Sequence, residues 1–192
     1  MKKIVLLFIY LVGFSITLMA QNESEQKKIA LLVTDSIWTK EIFHFPIRFA
    51  PELNYKGIEE AQFPIGWSKK ESPNFWSYVF VWDIEGNSVN SVKELEADLK
   101  TYFDGLMNSQ NTSTHFTIKE YSNTSISYVG KVSFFDNLRT KTNISLNVRV
   151  TKQYCLENNK TIIVFRFSPQ EFENEVWNTI ERVRLRDDIC NQ

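Results

Sequence analysis

Residues 75–84 read FWSYVFVWDI, and this stretch decides the fold. Alternate residues of a β-strand point to opposite faces of a sheet. Here one set of alternate positions is apolar from Trp76 to Ile84, and the other set contains Phe75, Val79 and Val81. A strand that is apolar on both faces is buried on both. The sequence therefore predicts a central strand with a layer of structure above it and another below.

Two further strands are predicted ahead of this one. Residues 38–49 place Phe43 and Phe45 on one face, but Pro46 interrupts the run. Because proline has no N–H to give to a sheet ladder, we expect an edge strand or a bulge there. Residues 58–63 are expected to return as the second strand.

Two helices are predicted from their start signals. Over residues 91–106, Ser91 and Glu94 form a capping box, and apolar residues recur at helical spacing. Over residues 169–186, Ser168 is the expected cap, a proline takes the first helical position, and an apolar stripe follows.

Between the helices the sequence predicts an antiparallel meander. Its four strands are expected near residues 115–121, 125–135, 142–154 and 160–167. The third alternates cleanly, since Leu146 and Val148 face one way while Asn147, Arg149 and Thr151 face the other. We expect the second of these sets to face out.

The resulting order, β-β-β-α-β-β-β-β-α, is typical of an α+β domain. We expect a mostly antiparallel sheet of about six to seven strands, packed by two main helices. The order is similar to that of the PsbP/Mog1-like folds, and this resemblance implies helices packed on an antiparallel sheet. It covers most of the chain after residue 20 and implies no particular function.

The first 20 residues are typical of a cleavable secretory signal peptide. Two lysines precede an apolar run over residues 4–18, and Ala20 supplies the small residue of a cleavage site. A retained membrane anchor is the alternative, because about 17 apolar residues can span a bilayer. The domain prediction is a signal peptide over residues 1–20, a polar tether over 21–30 and one α+β domain over 31–192.

The signal predicts where the protein goes. Its short length and paired lysines indicate a bacterial protein exported to the periplasm or outside the cell. The first cysteine is Cys155, so attachment as a lipoprotein is not expected. No later segment is long and apolar enough to span a membrane.

Charge and glycine content argue against several classes of partner. The chain has 22 Lys and Arg and 23 Asp and Glu, and without the two signal lysines the net charge is near −3. A nucleic-acid-binding protein usually carries a basic patch, so no nucleic acid is expected. With six glycines and no phosphate-cradling motif, no cofactor is predicted.

Cys155 and Cys190 are the two cysteines of the chain. In an oxidising compartment an even count favours a disulfide. Such a bridge would join the end of a strand to the C-terminal segment. The alternative is two unpaired thiols.

Aromatic residues concentrate in residues 38–82, which hold four of the five tryptophans. One interpretation is a core built from large rings. The other is a groove for a small apolar or carbohydrate ligand. The candidate ligand-binding residues are Trp67, Trp76, Tyr78 and Trp82.

No catalytic motif is recognisable, and His44 and His115 do not have metal-ligand spacing. The leading hypothesis is a non-enzymatic binding or accessory module whose partner is a small ligand or an envelope protein. The alternative is a cell-envelope hydrolase of unrecognised type, with one histidine near Glu41 or Glu60. An adhesin-like structural protein ranks third.

Overall fold

The structure is a computed structural model that describes residues 30–34, 37–122 and 125–191. The predicted signal peptide and residues 21–29 of the tether lie outside these ranges. The elements, in chain order, are β1 (Leu32–Val33), β2 (Thr39–His44), β3 (Gly57–Phe63), β4 (Tyr78–Glu85), α1 (Val92–Met107), β5 (Ser113–Tyr121), β6 (Ser125–Phe135), β7 (Asn143–Cys155), β8 (Lys160–Ser168), α2 (Val176–Glu181), β9 (Arg184–Leu185) and a short 3-10 helix (Ile189–Asn191).

Seven of these strands form one antiparallel sheet in the order β2-β3-β4-β8-β7-β6-β5. β1 and β9 pair separately. The predicted α+β class and its antiparallel meander are confirmed. β4 lies inside the sheet as predicted, but it begins at Tyr78 rather than at residue 75. Val79 and Val81 on one face and Phe80 and Trp82 on the other are all 0% exposed.

Helix α1 covers one face of the sheet, which we call the helix face. Ring centroids lie 5.1 Å apart between Phe80 and Tyr102 and 4.8 Å apart between Phe103 and Phe134. Leu99 is also fully buried there. Burial of each large apolar side chain contributes roughly 1.5–3 kcal/mol, so this layer supplies much of the stability.

The start of α1 is close to the prediction. Ser91 caps the helix, and its hydroxyl accepts a hydrogen bond from the Glu94 N–H at 3.1 Å. The Glu94 carboxylate accepts from the Asn90 N–H, one residue before the predicted partner. The bond from the Glu94 N–H satisfies one of the donors that α-helical geometry leaves open at a helix start, and the bond from the Asn90 N–H fixes the residue before the cap.

The predicted second helix is wrong over most of its length. It was expected over residues 169–186, but α2 covers only Val176–Glu181. Ser168 is the last residue of β8, and its hydroxyl lies 2.9 Å from that of Ser77 and accepts from the Gln170 N–H. The serine therefore ends a strand and turns the chain, so it cannot cap a helix.

The predicted first strand is also too long. β2 ends at His44, and a cis peptide bond joins Phe45 to Pro46. The Phe45 N–H still donates to the Gly57 carbonyl oxygen, but Pro46 has no N–H with which to continue the ladder. β2 does lie at the edge of the sheet, as the proline indicated.

The C-terminal segment lies on the opposite face of the sheet, which we call the outer face. α2 contacts β8, and Trp177, Ile180 and Val183 are buried. A disulfide joins Cys155, the last residue of β7, to Cys190, with their Cα atoms 5.1 Å apart. The predicted link between sheet and C-terminus is thus present. Within the described ranges, no helix has the length and apolar character needed to cross a membrane.

Candidate functional site

The structure places three of the four predicted ligand-binding aromatics in the core. Trp76, Tyr78 and Trp82 are 2%, 3% and 0% exposed, which leaves them almost no surface for a ligand in this conformation. Trp67 is half-buried, and the guanidinium of Arg139 lies 4.7 Å from the centre of its ring. Of this set, Trp67 alone could meet a ligand at the surface.

The structure separates His44 from Glu41 and brings His115 to a glutamate other than the two proposed partners. His115 is exposed and its Nδ1 is 3.8 Å from Glu96 Oε1. Glu41 and His44 point to opposite faces of β2, and the buried Glu60 accepts from Gln62 Nε2 at 2.7 Å. In the described part of the chain, no group of three or more His, Cys, Asp or Glu residues is placed to hold a metal ion.

One buried acid lies on the helix face, within the core. Glu59 is 0% exposed, and it accepts from Trp82 Nε1 at 2.7 Å and from the Tyr102 hydroxyl at 2.9 Å. Burial is the main cause that raises the pKa of Glu59 to about 7, and the nearby charge of Glu41 adds to the rise. Because the side chain is enclosed, it can respond to pH but cannot reach a ligand.

Asp98, a second carboxyl with a raised pKa, lies close to Glu59. Asp98 accepts from the Tyr55 hydroxyl at 2.6 Å, and the Tyr55 ring lies 6.1 Å from that of Trp82. Burial raises the pKa of Asp98 to about 6, although its bond from Tyr55 acts in the opposite direction. The helix face therefore holds two carboxyls that titrate near neutral pH.

The outer face carries a pair of arginines. β7 and β8 place Arg149 and Arg166 directly opposite one another in the strand register. Like charges at such positions repel, so the pair destabilises the ladder unless something compensates it. The sequence pattern predicted that Arg149 faces out, and Arg166 was not among the candidate site residues.

The C-terminal segment holds both side chains in place. The Arg149 guanidinium contacts the Glu181 carboxylate and lies over the rings of Phe172 and Trp177, at 4.8 Å and 5.1 Å. Arg166 Nη2 donates to the Val183 carbonyl oxygen at 2.8 Å. Stacking on aromatic rings and bonding to backbone restrict these long side chains, so the guanidinium groups are fixed before any ligand arrives.

The two arginines carry more N–H donors than their neighbours supply acceptors. A guanidinium carries five N–H groups, and these contacts use one from each arginine. Among the residues that the structure describes, the Nε atoms of Arg149 and Arg166 are shielded from solvent and have no acceptor. Each such buried donor costs about 1–3 kcal/mol. Burial, together with the charge of Arg149, lowers the pKa of Arg166 to about 10.

A cavity of 280 Å³ opens beside the pair, and we call it the arginine pocket. Ser127 and Thr151 lie opposite one another in the register of β6 and β7 and contribute hydroxyl groups to its wall. The charged side chains in the wall are Lys119, Glu120, Arg149, Arg166 and Glu181. Fixed cations beside hydroxyls are suited to an anion that also carries polar groups.

No protein-family model matches this chain, and comparisons with curated proteins and with solved structures give no significant match. The likeness to PsbP/Mog1-like folds therefore stays a prediction from element order. The chemistry of the sites is what remains to indicate a function.

Proposed function

We propose that this chain is an exported, non-enzymatic binding module that holds an acidic ligand in the arginine pocket. The observation that carries the proposal is the donor surplus of Arg149 and Arg166, which face each other beside a cavity. An anion in the cavity could accept from guanidinium N–H groups that the contacts to Glu181 and Val183 leave unused, and its charge would offset the repulsion between the two cations. The proposal also covers an accessory role, in which the ligand is an acidic group on an envelope component.

The form of the site favours binding over a purely structural pair. Phe172 and Trp177 hold Arg149, and the Val183 carbonyl holds Arg166, so little side-chain entropy is lost when an anion arrives. An acidic sugar combines a carboxylate for the guanidinium groups with hydroxyls for Ser127 and Thr151. Such a ligand belongs to the carbohydrate class predicted from the sequence, but its proposed site is on the outer face and not among the aromatic residues.

Export is proposed from the signal-like first 20 residues. A disulfide between Cys155 and Cys190 is compatible with an oxidising compartment. We expect N-terminal sequencing of protein recovered from the periplasm or medium of its bacterial host to begin at Gln21. A chain that keeps Met1 would contradict this part of the proposal.

The binding proposal is tested with D-glucuronate and with D-glucose, which lacks the carboxylate, by isothermal titration calorimetry. We expect glucuronate to bind and glucose to bind at least about tenfold more weakly, because a hydrogen bond to a charged group contributes about 1.5–3 kcal/mol. Arg166→Gln should weaken glucuronate binding by about tenfold or more.

Arg184→Gln is the matched control, because Arg184 is exposed on β9 and does not line the pocket. It should bind glucuronate as the unmodified protein does. If the Arg166→Gln variant is folded by circular dichroism and binds glucuronate as tightly as the unmodified protein does, the proposal is contradicted.

A further inference from the structure

We infer that the arginine pocket selects a singly charged oxyanion over a doubly charged one, and that Glu181 sets this selection. The inference rests on the proposed function, since it names the charge of the ligand at the same site. It comes from the placement of the protein's own carboxylates around the arginine pair.

Glu181 is the last residue of α2 and lines the pocket. Its carboxylate contacts Arg149, and its side chain remains 39% exposed. Arg149 is therefore already paired with one negative charge. Among the described residues, Arg166 bonds to a neutral carbonyl oxygen, so its charge is not paired with a carboxylate.

The charges of the wall nearly balance. Lys119, Arg149 and Arg166 supply three positive charges, while Glu120 and Glu181 supply two negative ones. The pocket thus carries a net charge of one positive unit before a ligand enters.

The charge of the ligand then determines how tightly it binds. Attraction to the pocket grows in proportion to that charge, whereas the cost of removing an ion from water grows with its square. In a weakly positive pocket the second charge of a dianion adds more desolvation cost than attraction. Glu181 keeps the pocket weakly positive, so it determines the selection.

The test compares three sugars at pH 8 and fixed low ionic strength: D-glucuronate, D-glucose 6-sulfate and D-glucose 6-phosphate. The first two are monoanions, and the third is a dianion. The sulfate and the phosphate share a tetrahedral shape and three terminal oxygens, so net charge is the main difference between them. We expect the sulfate ester to bind about tenfold more tightly than the phosphate ester.

Glu181→Gln removes the charge but keeps an amide oxygen that can accept from Arg149. We expect this variant to tighten phosphate-ester binding about tenfold and sulfate-ester binding about threefold, because the repulsion removed is twice as large for a dianion. Glu175→Gln is the control, since Glu175 is exposed at the other end of α2 and does not line the pocket. It should leave both affinities unchanged.

The outcomes separate the inference from the proposal beneath it. If the sugars bind but the sulfate-to-phosphate ratio is the same in the unmodified protein and in Glu181→Gln, the inference is overturned and the binding proposal stands. If none of the three sugars binds to either protein, both are overturned.

Discussion

At the residue scale, Glu59 is the most unusual side chain of the helix face. A carboxyl that is 0% exposed is rare in a core, and this one bonds to Trp82 and Tyr102 across β4 and α1. The two donors stabilise the charged form, but burial opposes it more strongly and the pKa rises to about 7 from an ordinary 4.5. The folded protein therefore holds a proton there that the unfolded chain would release.

This predicts a stability that falls as pH rises. Below pH 4.5 Glu59 is protonated in both states, and above pH 7 the folded state must accommodate a buried charge. Between pH 5 and pH 8 we expect the free energy of unfolding, measured with urea, to fall by about 3 kcal/mol from this group. Asp98, whose pKa is about 6, should add to the fall in the same direction.

Glu59→Gln should flatten most of that slope, because glutamine does not ionise. Glu52→Gln is the control, since Glu52 is exposed in a loop. A Glu59→Gln variant with the same pH slope as the unmodified protein would show that the buried carboxyl does not control stability.

At the scale of elements, Gly105 sets how closely α1 approaches the chain before it. A Cβ atom at Gly105 would lie 1.9 Å from the Phe49 carbonyl oxygen, and backbone cannot yield as a side chain can. We expect Gly105→Ala to lower the free energy of unfolding by about 1–3 kcal/mol, although alanine by itself favours a helix by about 1 kcal/mol.

Lys93→Ala, at an exposed position of the same helix, should change stability by less than about 0.5 kcal/mol. Urea unfolding followed by circular dichroism measures both variants. A Gly105→Ala protein as stable as the original would mean that helix and loop are not in close contact.

The two predicted helix starts show what a local sequence signal can and cannot predict. Ser91 and Ser168 both precede a glutamate three residues later, yet only Ser91 caps a helix. Ser168 is committed to β8 through its contact with Ser77, a residue 91 positions away. The strands and α1 were predictable because their periodicity is long and regular. The structure after Ser168 was not, because it depends on a tertiary contact that no local pattern reveals.

At the scale of the whole molecule, the candidate site depends on how distant segments align. Arg149 and Arg166 meet through the register of β7 and β8, and Glu181 reaches them from a helix 32 residues beyond Arg149. Sequence alone predicted the strands but not their register to the residue, so it could not place the two arginines together. It favoured the aromatic stretch instead, and that stretch largely forms the core.

The disulfide should stabilise this arrangement as a whole. It closes a loop with a sequence separation of 35 residues, for which the chain-entropy estimate is about 4 kcal/mol. We expect the double variant Cys155→Ser/Cys190→Ser to lose about 2–4 kcal/mol of unfolding free energy in urea. A double variant of unchanged stability would contradict a structural role for the bridge.

Ligand binding in the arginine pocket can be followed by NMR observation of the arginine side-chain N–H signals during titration with D-glucuronate. Arg149 Nε and Arg166 Nε are shielded from solvent, so their protons should exchange slowly enough to be seen. We expect these two signals to shift together and to saturate at a common dissociation constant, while the indole N–H signal of Trp82, buried on the helix face, stays in place. Saturating glucuronate that moves neither signal would contradict the assignment of the arginine pocket as the binding site.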